Sequence, residues 1–300
     1  MNARHTFFLF LIILFYSCQT QKEIKPVSPE YKKEVEDWHN KRIENLKKES
    51  GWLNLVGLYW LEEGENTIGS SDKNKIVFPK NAPAEIGKVI KKDSSLIFES
   101  YNNVNVFSNG NRVNKIEVKN DMSGNPTIFE LDSFRWFVIK REEKFGIRLR
   151  DLNADLLKNF EGIERFPIDG DWKIKAEFIP YKVPKEVEIP TIIGTIEKDF
   201  SPGKLKFLID KKEFTLEPTS AGDKMFLVFA DLTSGDETYG AGRFLVIDKP
   251  DSSNNVIIDF NKSYNPPCAF TKFATCPLPT KENKLKVKIT AGEKNYSGGH

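Results

Sequence analysis

The sequence predicts a mainly β protein, with one amino-terminal helix followed by two antiparallel β units. Three observations carry that expectation. From Gly51 onward, short extended runs are separated by Gly, Asn, Asp, Ser and Pro, the punctuation of strands and tight turns. Trp172, Ile174, Ala176 and Phe178 alternate with Lys173, Lys175 and Glu177, and Leu285, Val287 and Ile289 repeat that period among lysines. Such strands bury one face and wet the other. The stretch with helical spacing lies ahead of Gly51, where Tyr31, Val35, Trp38, Ile43 and Leu46 stand on a charged background.

Taken in order, residues 1–17 have the layout of a signal peptide: Arg4 and His5, then an apolar run from Phe7 to Tyr16 that is too short to cross a bilayer as a helix. Ser17-Cys18 directly after that run resembles the bacterial lipobox. The resemblance implies lipidation of Cys18, a membrane as partner through that lipid, and a place in the cell envelope. Residues 18–50 comprise a polar, proline-bearing tether and the helix, which Ser28 caps, Pro29 opens and Gly51 ends. The β remainder divides near the charged, glycine-bearing stretch Phe160–Asp171. That seam gives a sandwich over 51–160 and a carboxyl-terminal β domain over 161–300.

Composition removes several classes of function. Lysine plus arginine number 45 against 43 for aspartate plus glutamate, with no long block of one sign, so attraction to nucleic acid has no electrostatic basis. Past the signal only His39 and His300 remain, and neither is close in sequence to Cys268 or Ser263. A nucleophile that needs an imidazole to take its proton is therefore disfavoured, and a zinc site lacks its ligand set, so neither metal nor cofactor is expected. Cys268 and Cys276 are most simply a disulfide in an exported chain, with two free thiols or a metal site as the alternatives.

Polar residues concentrate between Tyr239 and Lys294, among turns stiffened by Asn265-Pro266-Pro267 and Cys276-Pro277-Leu278-Pro279. Three readings of this cluster stand. Asp259 with Glu282 or Glu293 can form a histidine-independent acid/base pair of a hydrolase or lyase, with Arg243 and Tyr239 positioning an anionic or sugar-like substrate. Alternatively Tyr239, Arg243, Asn261, Tyr264, Asn265 and Asn283 bind a small polar or anionic ligand, walled by Phe260 and Phe270, without catalysis. In the third reading the same groups lock strands and loops together in an envelope scaffold. The ligand-binding reading is the working expectation. It requires these side chains to share one hollow. The loop Asp231–Gly242 is read as a rim over that hollow or a plain hairpin connection. Lys144, Arg148 and Arg150 supply a cationic wall to it, or simply face solvent opposite Phe145, Ile147 and Leu149.

Two resemblances add to this. Gly64-Glu-Asn-Thr-Ile-Gly-Ser, Asn74-Lys-Ile-Val-Phe-Pro, Ala82-Pro-Ala-Glu-Ile-Gly and Val104-Asn-Val-Phe-Ser-Asn-Gly resemble the strand order of a forkhead-associated β-sandwich. Ser70 stands where phosphothreonine readers of that family carry an arginine, so the resemblance implies the scaffold without its phosphate-gripping fork. The second runs from Gly51-Trp-Leu-Asn-Leu-Val-Gly to Ala291-Gly-Glu-Lys. Phe145-Gly-Ile-Arg-Leu-Arg-Asp, Tyr239-Gly-Ala-Gly-Arg-Phe-Leu, Asp259-Phe-Asn, Asn265-Pro-Pro-Cys-Ala-Phe and Cys276-Pro-Leu-Pro resemble the bacterial family called domain of unknown function 1684. That resemblance implies kinship of fold and brings no activity with it.

Overall fold

The computed structural model describes residues 23–298; the signal peptide and Cys18 expected from the sequence lie outside them. The helix runs Pro29–Lys47, and the Ser28 hydroxyl accepts the Tyr31 N–H at 3.2 Å, satisfying one of the donors a helix start leaves open. Val35 and Leu46 form its buried side. Gly51 closes the exit turn by donating to the Lys48 carbonyl at 2.8 Å, and a Cβ there would sit 2.1 Å from the Leu46 carbonyl oxygen, which leaves room for glycine alone.

Two sheets share the first core. One orders Ile76–Val77, Gly64–Gly69, Gly87–Lys92, Ser95–Ser100 and Lys115–Glu117. The other orders Leu55–Trp60, Lys144–Asp151, Phe134–Arg141, Phe129–Leu131, Phe107–Ser108 and Asn111–Arg112. Pairing is antiparallel except for the short parallel contact between Gly64–Gly69 and Ile76–Val77. Ile68, Val89 and Phe98 from one sheet meet Phe129, Trp136, Ile147 and Leu149 from the other, and the Phe98 and Phe129 rings lie 4.4 Å apart between centroids. Burial of these aromatic rings supplies much of the driving force for closing the sandwich.

The carboxyl-terminal part is again antiparallel. Lys212–Leu216, Ile196–Ile209, Lys173–Pro190 and Asn255–Asp259 form one sheet, and Thr219–Ala221, Lys224–Phe229 and Arg243–Asp248 a smaller one. The alternation at Trp172–Phe178 is realised: Trp172, Ala176 and Phe178 enter a core with Leu205, Phe229, Leu245 and Phe260, while Lys173, Lys175 and Glu177 face water. The strand expected at Leu285–Ile289 does not join a ladder. Leu285 and Ile289 are buried as the pattern requires, but the segment runs beside the loop at Ala230–Thr233 and is held by single bonds, Leu285 N–H to the Ala230 carbonyl at 2.8 Å and Leu232 N–H to the Val287 carbonyl at 2.9 Å. Apolar alternation records the buried face; it does not record whether the neighbour is a strand.

Beyond Asp259 the chain is irregular, with one-turn 3-10 helices at Phe260–Lys262, Pro267–Ala269 and Lys281–Asn283. This segment lies across the junction between helix, first sandwich and second β unit. Ala269 and Phe270 pack with Leu46, Leu53 and Phe160, and the Thr271 hydroxyl donates to the Leu55 carbonyl at 3.1 Å. Among the described residues no helix is long and apolar enough to cross a membrane.

Candidate functional site

Irregular backbone under cover must find hydrogen-bond partners that no ladder supplies, and side chains are the remaining source. The predicted cluster serves that need. Arg243 is wholly buried; its Nη2 donates to Asp231 Oδ2 at 2.8 Å and the Ile289 carbonyl at 2.9 Å, and its Nη1 donates to the carbonyls of Ala291 and Glu293, leaving only Nε without an acceptor. The Glu293 carboxylate accepts Arg42 Nε–H at 3.2 Å and the Asn265 N–H at 2.7 Å, and Asn265 Nδ2 donates to the Lys294 carbonyl at 2.7 Å. Burial pushes the Glu293 carboxyl pKa up, with Arg42 opposing it. The Arg42 guanidinium lies 4.5 Å over the Tyr264 ring.

The other predicted residues form separate braces. Asn261 clasps Asp169, donating to its carbonyl at 2.9 Å and accepting its N–H at 3.1 Å, while Tyr31 donates to Asp259 Oδ1 at 2.7 Å and so ties the helix to this corner. Burial and the Asp259 charge raise the Tyr31 pKa. Asn283 clasps the Glu217 backbone at 2.8 and 3.0 Å, and Tyr239 donates to the Cys268 carbonyl at 3.1 Å. Glu282 is exposed. The single hollow expected around Arg243, Asp259, Asn261 and Glu282 is therefore corrected: Arg243 and Asn261 serve the chain's own backbone, Asp259 accepts from Tyr31 and lies 3.5 Å from Lys262 Nζ, Glu282 is exposed, and the cavities of about 800, 720, 550 and 540 Å³ are walled by other residues. The loop Asp231–Gly242 is a hairpin connection, knotted where Asp231 Oδ1 accepts the Thr233 N–H at 2.8 Å and hydroxyl at 2.6 Å.

A different site emerges on the outer face of the strand Lys144–Asp151. Phe145, Ile147 and Leu149 point into the first core, which puts Arg148 and Arg150 on the opposite face, as the alternation requires. Solvent exposure of that face is corrected by the structure: the two arginines are only 5% and 7% exposed, with Trp52 lying against both and Thr275 bonded to Arg148. Arg150 donates through Nη1 to the Gly51 carbonyl and to Asn54 Oδ1 and has no buried donor atom without a partner.

Arg148 differs. Its Nη2 reaches Thr275 Oγ1 at 3.3 Å, its Nε is buried with no acceptor, and it forms no ion pair among the described residues. Arg141 Nε approaches the same Thr275 oxygen at 3.3 Å, while its Nη1 pairs with Asp121 at 2.7 Å. Burial, and then the charges of Arg141 and Arg150, lower the Arg148 pKa to about 10. Arg148 and Arg141 line a cavity of about 720 Å³ together with Trp52, Phe244, Thr275 and Cys276. The same lining carries Lys140 and Lys198 and the carboxylates Asp121, Glu142 and Glu197; Arg141 is paired with Asp121 and lies 3.7 Å from Glu197, so Arg148 is the guanidinium there without a carboxylate among the described residues. Among the described residues no three His, Cys, Asp or Glu gather as metal ligands, and a buried guanidinium without a carboxylate suits an anion rather than a cation.

The larger cavity, on the first sandwich, offers less. Its Arg135 is already paired with Glu49 at 2.8 Å. Nothing in the sequence separated Arg148 from an ordinary outward-facing arginine, since what distinguishes it is cover from distant parts of the chain, such as Thr275, 127 positions away.

No curated protein matches the chain. A solution NMR structure of an uncharacterized protein of Haloarcula marismortui is similar at 25% identity, over 46% of this chain and 78% of that one, with a TM-score of 0.39. The FHA domain of FhaA, solved in a complex with an intracellular domain, is similar at 13% identity over 31% of this chain and 97% of that one, TM-score 0.22. Mycobacterium tuberculosis EmbR, solved with a low-affinity phosphopeptide, is similar at 11% identity over 42% of this chain and 33% of that one, TM-score 0.22. Likenesses at these scores carry no inference about function. Over residues 158–294 the chain matches the model of the family described as protein of unknown function (DUF1684).

Proposed function

We propose that the protein binds a small anionic ligand in the cavity between Trp52, Arg141, Arg148 and Thr275, with the anionic group at the two arginines and a less polar part along Trp52 and Phe244. The observation that carries this reading is Arg148, a buried guanidinium with an unfilled Nε and no carboxylate of its own. A charge held out of water without a partner is costly, and an incoming carboxylate, phosphate or sulfonate would relieve that cost through charge-assisted hydrogen bonds. The reading keeps a small anionic ligand as the partner and moves its site from the predicted cluster to the junction of the two β units. We propose also that the folded body is tethered at the cell envelope through a lipid on Cys18.

Calorimetric titration at low salt with phosphate, sulfate and benzoate tests the site. At least one of the three is expected to bind saturably and to raise the melting temperature. Arg148→Gln is expected to weaken that binding about 10- to 100-fold, which corresponds to losing one charge-assisted hydrogen bond. Asp259→Asn, at a residue that does not line the cavity, is expected to leave it unchanged. Binding that ignores Arg148→Gln, or no binding by any of the three, overturns the proposal.

A further inference from the structure

The wall that carries the arginines also carries a disulfide. Cys268 and Cys276 are bonded across a sequence separation of 8, and Cys276 lines the cavity between Thr275 and Pro277. Thr275, the shared acceptor of Arg141 and Arg148, is the residue next to it. The Cys268 N–H donates to Cys276 Sγ at 3.1 Å. Cys276 thus borders a cavity whose lining charges, Lys140, Arg141, Arg148 and Lys198 against Asp121, Glu142 and Glu197, leave an excess of one positive, which concentrates an anionic nucleophile beside that cysteine.

We propose that the cavity admits a small thiol bearing an acidic group, and that this thiol exchanges with the bridge at Cys276. The proposal rests on the anion-site reading and deepens it by naming the ligand class. The thiolate sulfur attacks Cys276 Sγ and forms a mixed disulfide. The Cys268–Cys276 bond breaks, and its electron pair leaves on Cys268 Sγ, which takes a proton from water. A second thiolate then attacks the small-thiol sulfur of the mixed disulfide and releases Cys276 as thiolate. Two small thiols are oxidised to their disulfide and the two cysteines are reduced, so the electrons balance without any other reductant.

The test uses the oxidised full chain and three thiols of similar size: 2-mercaptoethanesulfonate, 2-mercaptoethanol and cysteamine, which are anionic, neutral and cationic. Second-order reduction rates are corrected for the thiolate fraction of each, and peptide mass mapping locates the mixed disulfide and keeps Cys18 apart from the pair. The sulfonate is expected to react about tenfold faster than cysteamine, with the adduct on Cys276. The excess is expected to vanish in Arg148→Gln and, without any variant, when the wild type is saturated with whichever simple anion the titration finds to bind. Equal rates for the three thiols, an adduct on Cys268, or an excess that survives both treatments overturns the proposal. Equal thiol rates alongside Arg148-dependent anion binding sink the exchange alone. Equal rates with no anion binding sink both.

Discussion

Arg243→Met is the perturbation that best separates a structural brace from a ligand site. The guanidinium and the Asp231 carboxylate are both 0% exposed and lie 2.8 Å apart, and the same guanidinium serves the carbonyls of Ile289, Ala291 and Glu293. Removing one member of a buried ion pair costs about 3–5 kcal/mol, because the other charge stays behind unpaired. Each carbonyl left without a donor adds about 1–3 kcal/mol where water cannot reach it. The individual costs overlap, yet even the ion-pair cost is comparable with the roughly 5–15 kcal/mol that holds a typical domain together. Arg243→Met is therefore expected to be unfolded or nearly so at room temperature, as followed by circular dichroism in urea. The double variant Arg243→Met, Asp231→Leu is expected to recover about 1–3 kcal/mol relative to the sum of the single changes, since neither charge is then stranded. A loss below about 1 kcal/mol in Arg243→Met would falsify the account, because it would mean that something other than this guanidinium satisfies the carbonyls at 289–293.

Replacing both Cys268 and Cys276 by serine opens a loop closed across 8 positions and is expected to cost about 2–3 kcal/mol in urea denaturation on the chain-entropy model, with no measurable loss arguing that the bridge constrains nothing. His39 is expected to make the fold acid-sensitive. Burial, then Arg165 and Arg42, hold its pKa at about 4 against 6.5 in the unfolded chain, so the folded state resists protonation. Its contribution is fully present above pH 6.5 and is lost as pH falls through that value toward 4, on the order of 1–2 kcal/mol after allowance for solvent screening. His39→Gln should flatten the dependence of the urea midpoint between pH 7 and 4.5, and an unchanged slope would show that other groups carry it.

The sequence displayed the elements more faithfully than it displayed their purpose. Ser28, Pro29 and Gly51 bound the helix because capping is a local matter, settled by residues within a turn of one another. Trp172, Ala176 and Phe178 face a core because a pleated strand has no other way to bury alternate residues. Leu285 and Ile289 show where this stops: the buried face was legible, but the partner was a loop more than fifty residues upstream, and no periodicity names a partner. The polar residues from Tyr239 to Lys294 were misleading for a physical reason. A covered, ladderless backbone needs Arg243, Asn261, Asn265, Asn283 and Glu293 for its own hydrogen bonds, and that need concentrates polar side chains among prolines just as a binding site would. Arg243 and Arg148 make the distinction concrete. Both are buried guanidinium groups, but Arg243 has a carboxylate and three carbonyls from its own chain and borders no cavity described above, whereas Arg148 has half of one threonine hydroxyl and an open wall in front of it. Which of two arginines is a brace and which a receptor is decided by how completely the surrounding chain fills their donors, and that is a property of the packed structure, outside the reach of residue type or spacing.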